Sequence, residues 1–261
     1  MTRALLALLA LFLIAALVGG GLAYRQERNH RRDDVARLSD RLASINHDLT
    51  VARRERAVLA DRIRGVTRRA RKAKLARTSL AARVKRSVFT VTVSVDEGTG
   101  FVAWVKDGSS YVLTANHVVV LSVDRGDYAA RVHTGKTVWH GRIVATDPDH
   151  DLALIRVPHR IGPPLWQRPT FAPPLVGDEL LLVGSPLGYE GSVTSGVVGR
   201  VADDEIQTDA AAYPGISGGP AVDENGRVVG VLVSGEGENL NFAVPISKAC
   251  VKLRVCKRRG R

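Results

Sequence analysis

From Val35 to Ser87 the chain keeps one heptad seam. Of its 16 positions 13 are apolar, and only Arg56, Arg77 and Ser87 interrupt it. Steps of three and four residues return to one face of a helix and to no face of a strand. The seam therefore predicts a long helix, about 80 Å over these residues. Such persistence predicts a coiled coil and a homo-oligomer formed through it. The alternative is a helical hairpin turning back near Gly65, where glycine weakens the helix.

Charge divides the chain at nearly the same place. Residues 25–86 carry 20 basic and 7 acidic residues, whereas residues 87–247 carry 10 and 19. Residues 248–261 add seven more basic residues, read as a basic C-terminal helix or tail. A basic stalk joined to an acidic globular unit is expected. The block from Arg62 to Arg86 has eleven basic residues and no acid. It suits anionic lipid or another polyanion, although no aromatic residues interleave to stack on bases. A plain solvated face is the simpler reading.

Residues 4–24 are uncharged and rich in Leu and Ala, about 31 Å of helix. That length predicts a single-pass membrane anchor. A cleaved signal segment ending near Gly21-Leu22-Ala23 is the alternative. The arginines that follow favour a cytoplasmic position for the rest of the chain. Cys250 and Cys256 fall in an expected C-terminal helix, where six residues separate Cα atoms by about 9 Å. A disulfide tolerates about 7 Å at most, so free thiols are expected. No metal site and no cofactor are expected.

After Ser87 the period changes to two. S-V-F-T-V-T-V-S-V (87–95) alternates, and short alternating or apolar runs recur near residues 101–105, 111–114, 138–146, 151–157, 179–183, 192–201 and 227–234. Many short strands with turn signals between them predict an all-β sandwich or barrel. D-E-N-G (223–226) predicts a type I′ hairpin turn. Six of the eleven prolines lie between Pro158 and Pro174. Proline cannot donate to a sheet ladder, so this stretch reads as a linker between two β units.

Three polar signals stand against this background. L-T-A-N-H-V-V places His117 just after a strand. D-P-D-H-D-L-A-L-I-R-V places Asp151 before a buried one. P-G-I-S-G-G-P surrounds Ser217 with residues small enough for close backbone approach. Singly these read as a turn histidine, a capping acid and a turn serine.

Their order, together with G-T-G-F (98–101), Y-V-L-T-A-N-H-V-V (111–119), V-G-D-E (176–179), G-S-P-L-G (184–188), S-V-T-S-G-V-V (192–198), T-D-A-A (208–211) and N-F-A-V-P (241–245), resembles the HtrA/DegP-like branch of the trypsin-fold serine proteases. The resemblance covers about residues 88–246. It implies two packed antiparallel β-barrels; with the transmembrane helix and the long coiled-coil helix read above before them, the expected fold class is all-β, trypsin-like. It implies His117, Asp151 and Ser217 as the catalytic groups, with the N–H groups of Gly215 and Ser217 as the oxyanion hole. Asp147 and Asp149 are rivals to Asp151. Ala211, six residues before the serine, would floor the specificity pocket, with Ala212 as a further apolar wall. Small or medium apolar residues are then expected before the cleaved bond.

Two departures qualify the resemblance. The family usually has Asn before the serine, where this chain has Ile216. That change is expected to loosen the oxyanion loop and slow the enzyme, so that Ile216→Asn would raise turnover. The chain also ends soon after residue 247, without the PDZ domain common in the family. The domain plan is an anchor or signal segment (1–24), a stalk (25–86), a protease unit (87–247) and a tail (248–261). The resemblance implies a membrane-anchored endopeptidase acting on unfolded polypeptide segments in quality control outside the cytoplasm. The alternatives are an inactive protease-like binding module tethered to the membrane and a polyanion-binding adaptor acting through the stalk.

Overall fold

The structure, a computed structural model, describes residues 2–166, 173–235 and 239–253. The chain divides into two compact units, Met1–Arg71 and Lys72–Arg261. One helix, α1 (Thr2–Lys85), begins in the first and ends in the second. It runs without a break through Gly65, so the hairpin alternative does not hold. The expected seam is helical, and its residues Leu38, Leu42, Ile45 and Ile63 are exposed.

The single-pass membrane anchor is corrected. Among the described residues no helix is long and apolar enough to cross a membrane. Side chains of residues 2–11, 15 and 23 lie outside the description.

The second unit holds two closed barrels. The first is built from β1 (Val88–Thr92), β2 (Glu97–Lys106), β3 (Ser109–Ala115), β4 (Ala129–Thr134), β5 (Thr137–Asp147) and β6 (Leu152–Val157) in the order β1-β2-β3-β6-β5-β4. The second uses β7 (Glu179–Gly184), β8 (Ser192–Val201), β9 (Ile206–Thr208), β10 (Pro220–Val222), β11 (Val228–Gly235) and β12 (Asn241–Pro245) in the order β10-β11-β12-β9-β8-β7. Among the described residues every strand pairing is antiparallel, as between Leu113 and Leu154.

Alternation explains the filling. Phe89, Val91, Val102, Val112 and Ile155 form the core of the first barrel. Leu180, Leu182, Ile206 and Leu232 form that of the second. A third cluster joins them, with Phe101, Leu113 and Leu152 meeting Val183, Val231 and Val244. Each such side chain contributes about 1.5–3 kcal/mol when fully buried. Leu80 and Val84 at the end of α1 enter the same cluster, and so do Ile246 and Ala249 of α3 (Ile246–Lys252). The last apolar seam positions, Leu80 and Val84, thus pack on the barrels.

The proline-rich stretch does connect β6 to β7, and its residues 167–172 lie outside the description. Before them, the N–H groups of Leu165 and Trp166 donate to Val102 and Ala103 carbonyls. The 223–226 turn does join two strands, β10 and β11, but not as type I′. Gly226 N–H donates to Asp223 O, and within the turn only Gly226 has positive φ. This is a type I turn closed by a left-handed glycine. The Asp223 carboxylate stabilises it by accepting from the N–H groups of Asn225 and Arg227.

The free-thiol expectation also fails, because Cys250 is disulfide-bonded. The sequence has one other cysteine, Cys256, which lies outside the described residues. The helical spacing argument fails because α3 ends at Lys252 and never extends between the two positions.

Candidate active site

His117 follows β3 after a single residue, Asn116, in a turn leading to the short helix α2 (Val120–Asp124). Asp151 closes a 3-10 turn (Pro148–His150) just before β6. Its backbone is left-handed, φ 50° and ψ 47°, which costs a residue with a Cβ about 1–2 kcal/mol. The antiparallel pair β3–β6 sets Ala115 opposite Leu152, so the residues just beyond the two strands meet. Asp151 holds His117 twice. Its Oδ1 accepts the His117 backbone N–H at 2.7 Å, and its Oδ2 accepts Nδ1–H at 2.6 Å. The Nδ1 proton is thereby committed, and Nε2 is left as the basic nitrogen.

The rival acids stand elsewhere. Asp147 accepts from His150 Nδ1 at 3.0 Å, and the ring's other nitrogen faces Asp204. Asp149 is exposed and makes no side-chain bond among the described residues.

The hydrogen bond to Asp151 raises the pKa of His117 above the ordinary 6.5. The charges of Asp151 and Asp96 add to this, while desolvation opposes it. A general base must be neutral to accept a proton. Activity is therefore expected to rise with pH, with its midpoint above 6.5. A pH–rate profile of kcat/KM checks this, and a midpoint at or below the ordinary value contradicts it.

Ser217 lies in the loop between β9 and β10. Its carbonyl accepts Thr99 N–H at 2.8 Å. A Cβ on Gly98 would stand 2.6 Å from Val118 and 3.0 Å from Ser217 O. Only glycine there lets the chain after His117 approach the serine loop so closely. Among the described residues no hydrogen bond ties Ser217 Oγ to His117, and the N–H groups of Gly215 and Ser217 meet no acceptor. Gly215 has φ +95°, and a Cβ on it would strike Ser185 O at 2.8 Å. Larger residues are excluded on both counts.

Ile216 does not loosen this loop. It is 4% exposed and packs in the second barrel's core beside Leu180, Leu182 and Leu232. Its N–H donates to Tyr213 O at 3.1 Å and its carbonyl accepts Gly219 N–H at 2.9 Å. The expected disorder is therefore corrected, since packing and backbone bonds supply the order. Ile216→Asn should destabilise the fold by about 3 kcal/mol, combining lost packing with an unpaired buried amide. Urea unfolding checks this; unchanged stability with faster turnover would contradict it.

Ala211 and Ala212 are half-buried, and Ala211 O accepts Thr194 Oγ1 at 2.7 Å. Beneath them Asn241 Nδ2 donates to Ala210 O at 2.9 Å. The roles of Thr99, Ser185, Leu187 and Thr194 were missed, although G-T-G-F and G-S-P-L-G contain three of them. A separate cavity of about 200 Å³ lies against the end of α1, lined by Ala76, Arg77, Leu80, Glu179, Leu181 and Asp223, and includes none of these site residues. Among the described residues no group of three His, Cys, Asp or Glu side chains could hold a metal.

The family described as "Trypsin-like peptidase domain" matches residues 98–231, just over half of the chain. The chain belongs to this family. Its peptidase domain is similar to a probable periplasmic serine endoprotease, DegP-like, of Pseudomonas putida, at 36% identity over 165 residues, covering 58% of this chain and 33% of that protein. It is also similar to Protease Do-like 1, chloroplastic, of Arabidopsis thaliana, at 32% identity over 194 residues, covering 65% and 41%. Among solved structures, the active form of the Rv3671c protease of M. tuberculosis matches with TM-score 0.59 and 25% identity, covering 72% of this chain and 88% of that one. An inactive form of Rv3671c matches with TM-score 0.60 and 26% identity, over 69% and 93%. The chain spans about a third of the length of the DegP-like relatives it matches. Those relatives are named for the periplasm, not for a membrane.

Proposed function

We propose that this chain is a serine endopeptidase that cleaves exposed or unfolded polypeptide segments. The observation that carries the reading is the doubly bonded His117–Asp151 pair, which commits Nδ1 and leaves Nε2 as the basic nitrogen. In this reading Ser217 Oγ attacks the peptide carbonyl while His117 Nε2 takes its proton. Asp151 keeps the imidazole in the correct tautomer and stabilises its charged form. His117 then returns the proton to the leaving amine, and water releases the acyl group by the same route. The two N–H groups without acceptors, Gly215 and Ser217, receive the negative charge on the former carbonyl oxygen.

In this reading Ala211 and Ala212 wall the pocket before the serine, and Ala211 sets a methyl group, not a carboxylate, where a basic side chain would reach. Small or medium apolar residues are expected before the cleaved bond. Digestion of unfolded casein, with the fragments sequenced, tests both parts. Fragments ending mainly in Lys or Arg would contradict the pocket assignment, and absence of fragments would contradict the peptidase reading.

A further inference from the structure

Four successive carbonyls define the loop that carries the nucleophile in the reading above. Pro214 O accepts Leu187 N–H at 2.8 Å, and Gly215 O accepts Thr99 Oγ1 at 2.6 Å. Ile216 O accepts Gly219 N–H at 2.9 Å, and Ser217 O accepts Thr99 N–H at 2.8 Å. In a planar trans peptide the N–H points opposite its own carbonyl. Binding Pro214 O and Ile216 O therefore turns the N–H groups of Gly215 and Ser217 to the opposite side. Binding Gly215 O turns Ile216 N–H toward Tyr213 O, where it bonds. Two of the four anchors come from one residue of the other barrel.

That residue is fully buried, and each of its polar groups is used. Thr99 Oγ1 donates its only proton to Gly215 O and accepts Ser185 N–H at 2.9 Å. Its carbonyl accepts Thr114 Oγ1 at 2.7 Å. Ser185 begins the turn that carries Leu187, so the same hydroxyl fixes the start of the segment that holds Pro214 O. Without it, Gly215 would keep a conformation at φ +95° with no bond on its own carbonyl. Glycine permits rotation of both flanking peptide units.

We propose that Thr99 is a positioning residue for the oxyanion site. Its hydroxyl, reaching from β2 of the first barrel, fixes the Gly215 carbonyl directly and, through Ser185 N–H, the turn whose Leu187 N–H holds Pro214 O and so directs the Gly215 N–H. This rests on the peptidase reading, and the test keeps the two apart. Loss of one oxyanion donor lowers turnover about 10²–10³-fold, and misdirecting one should cost about 10- to 100-fold.

The test compares full-length wild type with Thr99→Val, Thr99→Ser and Ser217→Ala on fluorescein-labelled casein, at saturating and limiting concentrations. Thr99→Val is expected to lose about 10- to 100-fold in kcat with KM changed less than about twofold. Thr99→Ser, which keeps the hydroxyl, should retain wild-type turnover. Should Thr99→Val fail to fold, Thr99→Cys is compared with Thr99→Ser instead, because it matches serine in shape while its thiol donates only weakly. Wild-type kcat in a folded Thr99→Val or Thr99→Cys overturns the positioning role and leaves the peptidase reading standing. Equal loss in Thr99→Ser and Thr99→Val also overturns it, since packing alone would then be at work. Wild type no faster than Ser217→Ala overturns the reading, and the positioning role falls with it.

Discussion

Ser217→Ala is expected to remove casein hydrolysis almost entirely while leaving the fold intact. Ser217 Oγ makes no hydrogen bond within the chain's described residues, so its removal leaves no buried group unpaired. Its carbonyl bond to Thr99 belongs to the backbone and survives the substitution. Chemistry is affected instead. Without an attacking oxygen the remaining groups can only bind and polarise the substrate, and loss of such a nucleophile costs about 10⁶-fold in kcat. Initial rates and thermal unfolding of the same preparation check both halves. A variant that cleaves at a comparable rate would place the nucleophile elsewhere.

Asp151→Asn has the second largest expected effect. The carboxylate accepts two bonds from His117, one from the backbone and one from Nδ1. An asparagine amide presents one oxygen and one NH₂ group. If its oxygen keeps the backbone N–H, its NH₂ faces Nδ1 and stabilises the wrong tautomer, with the proton on Nε2. His117 then cannot accept the serine proton, and turnover is expected to fall about 10⁴-fold. The hydrogen bond and charge that raise the His117 pKa are lost together, so the residual activity should titrate at lower pH than in the wild type. Asp147→Asn, altering the acid that pairs with His150 instead, should leave kcat within about threefold.

Legibility in the sequence followed the strength of local patterning. The seam from Val35 to Val84 needed no tertiary context to be read as helix, and α1 contains all of it. The alternation after Ser87 was equally plain in β1, and so were the runs that became β3, β6 and β7. Short strands were harder. β9 and β10 have three residues each, and β10 begins with Pro220. They are strands because closing the second barrel supplies partners, which no local window contains. β4 (A-A-R-V-H-T) alternates too weakly to stand out beside its long neighbour β5.

The candidate site divides the same way. The positions of His117 and Asp151 at the ends of β3 and β6 were readable from the apolar runs beside them, but singly they read as a turn histidine and a capping acid. Ile216 was misjudged because its neighbours in sequence are loop residues, whereas its neighbours in space are Leu180, Leu182 and Leu232. Thr99 drew no notice because its importance comes from bonds to residues more than 80 positions away. The membrane reading took composition over residues 4–24 as sufficient. Among the described residues no helix is long and apolar enough to cross a membrane.

Covalent labelling with a fluorophosphonate, followed by mass spectrometry of the adduct, tests the central claim most directly. The reagent reacts with a serine only where a base and an oxyanion site activate it, so the labelled position reports the whole arrangement at once. The account predicts a single adduct on Ser217, absent in His117→Ala and strongly slowed in Asp151→Asn. A folded wild-type protein that takes no label, or takes it on another serine, would contradict it.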